Sequence, residues 1–494
     1  MSAAPEARAV DSDLERRRLL YVLSEALEKV ARLRQILRAQ QAFIIAEHEE
    51  VESVSAVGRL ISYLDKHCRT FLDSSALIAS FIRGKKLNEA QERGVVTALA
   101  ILITGILHVH ELLILLPREA AKPQASFLLR DCLGRKDLKA SIVLTNFISA
   151  YEYRFEDVLE KVNIYQEERE TLTQGGNVLC QAFADKDNPL AWAVLAHEYG
   201  HALDDSNAIS KKIATGDEPD KAPASGDDPK KDLRPDLGAA VVAETVADFV
   251  AAHVLGPASL MPILFVEMMQ PRLKGIEGRW TGHPPTPLRV RLVREYLNAL
   301  GVSTADFESV FEAYQLDYAR KLEEMQQGEK DHIGTVEEAA DKLLSPLAPA
   351  IASKVNSLGL GRFGEENAKC ARVLRGTLAS RQPISSRRRA SDAEIFAELS
   401  LLRIGESTPQ QAYAVLTKLD EEPVKASEIL TAGWLYRLST LEDELMKAFP
   451  EGSADEGVEF GAYETYVEKT DFMLLKSLEL ADVHAEVLGW LSAT

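Results

Sequence analysis

Along the first quarter of the chain, apolar residues recur at three- and four-residue steps. Leu19, Leu20, Leu23, Leu27, Val30, Leu33 and Leu37 form one face of a long helix. The helical pattern runs from about Leu14 to Leu116. Gly84, followed by Lys85, Lys86, Leu87 and Asn88, predicts a helix stop and a new N-cap. Val95 to Leu107 carries no charge, and after His108, His110 and Glu111 the chain stays apolar as far as Leu116, where Pro117 ends the helix. A bilayer span needs about 20 predominantly apolar residues. The uninterrupted stretch is shorter than that, so a buried core helix is expected, with anchorage in a membrane through Val95 to Leu116 as the alternative.

From about Ser141 the pattern changes. Ile142, Val143 and Leu144 form a short β-branched run, and Asn177 to Phe183 is a second candidate strand, preceded by Gly175 and Gly176. Asp204 to Asp236 is rich in Asp, Lys, Pro, Ser and Gly and can bury little, so residues 205–236 are expected to be a mobile surface loop, a lid at most. Helical periodicity resumes at Leu237 and again past residue 285. After Ser303 only helices and linkers are expected, including a capping box with proline at the first helical position at Thr408, Pro409 and Gln411. The segment with Gly433, Trp434 and Tyr436 is read as core packing, with a partner groove as the alternative. The expected architecture is mainly α with a small α+β core: a helical region at 1–120, a central domain at 121–300 carrying the polar insertion, and a helical region at 301–494 that leaves room for a protein partner.

Composition narrows the function. Aromatic residues are only 7% of the 494, which favours helices over strands. A formal net charge of −19 repels phosphate backbones and anionic headgroups, so nucleic acid is not an expected partner. Arg387, Arg388 and Arg389, the one compact basic cluster, is read as a solvated linker. Cys68, Cys132, Cys180 and Cys370 are far apart and contain no CxxC pair, which argues against a disulfide framework or a thiolate metal site. The first residues contain no apolar stretch of the secretory kind. A cytoplasmic location is expected.

The chemistry centres on His197-Glu198-Tyr199-Gly200-His201. Residues four apart lie on one helical face, so both imidazoles can reach one ion, and Glu198 can reach a water bound to it. Imidazole ligands with an open fourth position suit zinc. Asn188 is expected as N-cap and Pro189 as the first helical residue, followed by the apolar Trp192 to Ala196. The third ligand must come from elsewhere, since Ala202, Leu203 and Asp204 break any longer motif. Glu244 and Asp248 lie four apart on the otherwise apolar helix that Gly256 and Pro257 end. Carboxylates there are costly unless paired or bound to metal. Glu244 is assigned as ligand and Asp248 as the partner of a ligand imidazole; the other possibility is two solvated carboxylates. His253 is off the Glu244 face and is read as an ordinary core or surface histidine.

HEYGH followed downstream by Glu244-Thr245-Val246-Ala247-Asp248 resembles the gluzincin zinc peptidases. Gly282-His283-Pro284-Pro285-Thr286-Pro287-Leu288-Arg289 is similar to the His-Pro segment of the CAAX-prenyl endopeptidase and heat-shock membrane protease group. The resemblance covers about residues 140 to 300. It implies a zincin-like core holding one zinc ion and hydrolysing peptide or protein substrates, with Glu198 as general base, His283 as an oxyanion donor and Arg289 in support. It also points to the strand at Asn177 to Phe183 as an edge that holds extended peptide. The chain departs from that group in its charged insertion and in having at most one candidate span where that group has transmembrane helices. A rival reading is a helical scaffold or regulatory protein with a structural or vestigial zinc site; the intact Glu198 speaks against it.

Overall fold

The computed structural model describes residues 12–46, 75–84, 89–112, 122–134, 140–145, 177–182, 185–215, 235–270, 283–385, 423–449 and 460–493, together with the single positions 62 and 66. These residues are mainly helical. In chain order they form α1 (Ser12–Ala46), α2 (Ser75–Ile82), α3 (Glu89–Leu112), α4 (Pro123–Leu133), β1 (Ala140–Thr145), β2 (Asn177–Ala182), α5 (Ala193–Asn207), α6 (Ile209–Thr215), α7 (Pro235–Leu255), α8 (Met261–Met269), α9 (Thr286–Ala299), α10 (Glu308–Glu323), α11 (Gln327–Ser357), α12 (Glu365–Ala379), α13 (Ala426–Ala448) and α14 (Phe460–Ala493). The two strands pair in parallel, with Ile142 opposite Leu179 and Val143 opposite Cys180. The expected capping box at Thr408 and the Arg387–Arg389 cluster lie outside the described residues.

α7 is the centre of the molecule. It is apolar on every side, which suits a helix surrounded by others, and it packs against α5, α6, α9 and α11. Its stretch Gly238–Ser259 is long and apolar enough to cross a membrane by length and composition, yet 72% of it is buried within the protein. The stretch in α3 is shorter, Arg93–Ile106, and its inner face (Val95, Leu99, Leu102 and Ile106) is buried. At the end of α7, Gly256 takes φ 63, and a Cβ there would lie 2.5 Å from the Phe363 ring, so glycine is required twice over.

α1 packs on α8, α10, α13 and α14, so residues far apart in sequence share one core. Its buried charges are paired across that core: Arg18 to Asp317 at 2.6 Å, Arg32 to Asp471 at 2.8 Å, and Glu25 to Arg437 at 2.9 Å. A buried charge without its partner is strongly destabilising, so these pairs fix which helix faces which. Trp434 and Tyr436 are buried in the same core, and a Cβ on Gly433 would meet Leu474 and Leu190, as core packing requires.

Two expectations about boundaries are corrected. The helix of the HEYGH motif begins at Ala193, not Pro189. Residues 185–192 instead form successive tight turns, with Ala191 bonded to Asn188 and Trp192 to Pro189. The Asn188 side chain points back to Asp185 at 3.3 Å, and the Trp192 indole donates to the Asp185 carbonyl at 2.8 Å. These bonds hold the backbone in turns where the helix was expected. The polar stretch after the motif is also not a loop from its first residue. α5 continues to Asn207, and α6 follows after Ala208, whose φ is 51. Asp204 caps α6 by accepting from the Ser210 amide at 2.7 Å and hydroxyl at 2.5 Å, while Ile209 and Ile213 are buried.

Candidate metal centre

α5 and α7 approach backbone to backbone. The contact is at Gly200, where an added Cβ would lie 2.7 Å from the Cα of Ala247. Gly200 is between the two motif histidines, and Ala247 is between Glu244 and Asp248. The crossing therefore sets both pairs face to face.

Three donors converge there. His197 Nε2 and His201 Nε2 are 3.2 Å apart. Glu244 turns one carboxylate oxygen to each ring: Oε2 is 3.4 Å from His197 Nε2, and Oε1 is 3.4 Å from His201 Nε2. Tetrahedral bonds of about 2.0–2.2 Å to zinc place ligand atoms about 3.3–3.6 Å apart. The 3.2 Å between the two Nε2 atoms and the 3.4 Å from each to its facing Glu244 oxygen are close to that spacing, and one ligand atom from each of the three residues lies within 4.8 Å of the others. Among the described residues, this is the group of side chains able to hold a metal ion.

The surrounding residues orient the donors. His197 Nδ1 is 2.9 Å from Asp248 Oδ1, which turns Nε2 toward the shared centre. Arg289, at the start of α9, holds Asp248 with two bonds, Nε to Oδ2 at 2.8 Å and Nη2 to Oδ1 at 2.7 Å. His283 Nδ1 lies 2.8 Å from Glu244 Oε2, with the side chain 56% exposed. Glu198 sits beside His197 on α5 and is buried with it. The residues singled out in the sequence are thus brought together, except His253. That residue is buried away from the donors and bonded to the Tyr296 hydroxyl at 2.8 Å.

Electrostatics make the centre receptive to a cation. Burial works against ionising the Glu244 carboxylate, yet hydrogen bonds from His197 and His283 hold it far below the usual range. Burial likewise opposes charge on Asp248, and Arg289 overrides it. Burial and the facing His197 charge push His201 down to about 3. His197 is buried too, but Asp248 and Glu244 lift it to about 10. Glu244 and Asp248 thus keep their negative charge although they are largely buried. A divalent ion held there would bind His197 in its neutral form, as ligand histidines require.

Compared with protein-family models, with curated proteins and with solved structures, the chain matches none.

Sequence reasoning missed two contributors. Gly200 carried a signal: glycine inside a helix costs about 1 kcal/mol against alanine and usually has a packing reason. Glu267 was the other. It is the one acid in the apolar α8, the same anomaly that marked Glu244. Its carboxylate accepts from Thr286 Oγ1 at 2.6 Å and the Tyr314 hydroxyl at 3.0 Å, and so fixes the first turn of α9, three residues beyond His283.

Proposed function

We propose that the protein is a zinc-dependent peptidase whose catalytic unit, a zincin-like core within residues 121–300, is braced by the helical regions before and after it. The observation that carries this reading is the triangle of His197, His201 and Glu244, with a glutamate adjoining the first ligand. A zinc ion bound there supplies Lewis acidity and a water whose pKa is lowered to about 7. Glu198 would take the proton from that water and return it to the leaving amine. Asp248 and Arg289 hold His197 in the tautomer that presents Nε2. The strand at Asn177–Ala182 would hold extended peptide along its edge. By the resemblance, His283 would serve the oxyanion. The acidic composition speaks against nucleic acid and anionic membrane surfaces as partners, and the scattered cysteines fit a reducing compartment such as the cytoplasm.

The rival is a helical scaffold with a structural zinc site. Such a site needs four ligands and no neighbouring base, whereas among the described residues three donors and Glu198 are found together. Elemental analysis of purified protein tests the reading. About one zinc per chain is expected in the wild type, lost in His197→Ala and in Glu244→Ala. The Glu198→Gln variant is expected to keep its zinc and to hydrolyse peptides at least 100-fold more slowly than wild type, within the usual range for removing a general base. No zinc in the wild type after reconstitution would refute the proposal.

A further inference from the structure

The Glu244 carboxylate has three partners: His197, His201 and His283. Once His197 and His201 direct Nε2 at a metal ion, those nitrogens carry no hydrogen and cannot donate to the carboxylate. Only His283 remains as a donor among the described partners. Glu244 is 12% exposed, and a largely buried carboxylate oxygen left without a donor costs stability. The two oxygens are also differently placed. Oε1 faces His201, while Oε2 lies 2.8 Å from His283 Nδ1, the distance of a charge-assisted hydrogen bond. A donor on Oε2 stops the carboxylate from rotating and leaves Oε1 for the ion.

The approach of His283 is itself built in. It is three residues before Thr286, which is tied to Glu267; Glu267 is tied in turn to Tyr314 of α10. The carbonyls of Glu267 and Met268 accept from Lys321 Nζ at 2.7 and 3.2 Å. Pro284 and Pro285 stiffen the connection between. α8, α9 and α10 thus aim the ring at Glu244 from outside the α5–α7 pair.

We infer that His283 is a positioning residue that acts through Glu244, holding the third ligand by a hydrogen bond from Nδ1. This rests on the peptidase reading for the identity of the metal, and it departs from that reading in giving His283 a part in zinc affinity. The side-chain amide of asparagine can reproduce a donor at the Nδ1 position; that of glutamine reaches the Nε2 position. Zinc dissociation constants would be measured by competition with a chromophoric chelator for the full-length wild type, His283→Ala, His283→Asn and His283→Gln. His283→Ala is expected to weaken binding 10- to 100-fold, the usual cost of losing a ligand's hydrogen-bond partner. His283→Asn should recover most of that loss and His283→Gln little. Circular dichroism of each variant would show that the fold is retained. Equal affinity in all four proteins would overturn the inference while leaving the zinc site intact. Absence of zinc from the wild type would overturn the peptidase reading, and this inference with it.

Discussion

Replacing Gly200 by alanine adds one carbon at the point where α5 and α7 touch. That carbon would lie 2.7 Å from Ala247 Cα, 3.1 Å from its carbonyl oxygen and 3.2 Å from its Cβ. Ordinary carbon contacts are about 3.5–4.0 Å, so α5 and α7 must part by roughly 1 Å. No flexible side chain can absorb this, because two of the three atoms are backbone. Overpacking of this kind costs about 1–3 kcal/mol, and alanine's better helix propensity returns about 1 kcal/mol, so a loss of up to about 2 kcal/mol is expected in the metal-free protein. Metal binding should suffer more. The histidines are on one helix and Glu244 is on the other, so the two 3.4 Å edges lengthen with the separation. Zinc sites tolerate about 0.2 Å in ligand distance. Affinity should therefore fall at least 10-fold, the lower end of what misdirecting a ligand costs. The assay pairs urea unfolding in chelator with zinc competition in buffer. Unchanged zinc affinity together with a gain of about 1 kcal/mol in stability would refute the reasoning, since it would mean the close approach does no structural work.

Two other perturbations test the surroundings. Arg289→Met leaves Asp248 buried opposite an uncharged side chain, and a broken buried pair costs about 3–5 kcal/mol; a urea midpoint equal to wild type would contradict this. Asp131 accepts from the Ala426 amide at 2.6 Å at the start of α13, and burial pushes its carboxyl from 3.8 up to about 6 despite that bond. The folded state then holds the proton more tightly than the unfolded chain. This contribution is full below about pH 4 and is lost as pH rises to about 6. Asp131→Asn should therefore gain on wild type between pH 4 and 7, by at most about 3 kcal/mol; parallel stability-pH curves would show that Asp131 does not titrate in this window.

Much of the architecture was legible. The spacing of Leu19 to Leu37 marked α1, and Gly84 and Gly256 marked helix ends. These are local signals, carried by residues within a few positions of one another. The errors came where a distant or backbone partner outweighed a local preference. Asn188 has the chemistry of an N-cap, but Asp185 engages its side chain and α5 begins at Ala193. The polar residues after His201 suggested a loop, yet the Asp204 carboxylate nucleates α6 by capping it.

At the metal centre the division is sharper. The sequence by itself determined the types of donor, since HEYGH puts two imidazoles on one helical face. It also determined that Glu244 and Asp248 needed a reason to be on an apolar helix, because burying charge is costly. Only the tertiary structure decided how the two helices meet. Gly200 lets the backbones approach until the two imidazoles face the Glu244 carboxylate at 3.4 Å each, and α8 to α10 bring His283 onto Glu244 from a third side. Periodicity specifies which face a residue is on. The distance between faces depends on how two helices pack, and here it was set by one glycine and by contacts between residues more than forty positions apart.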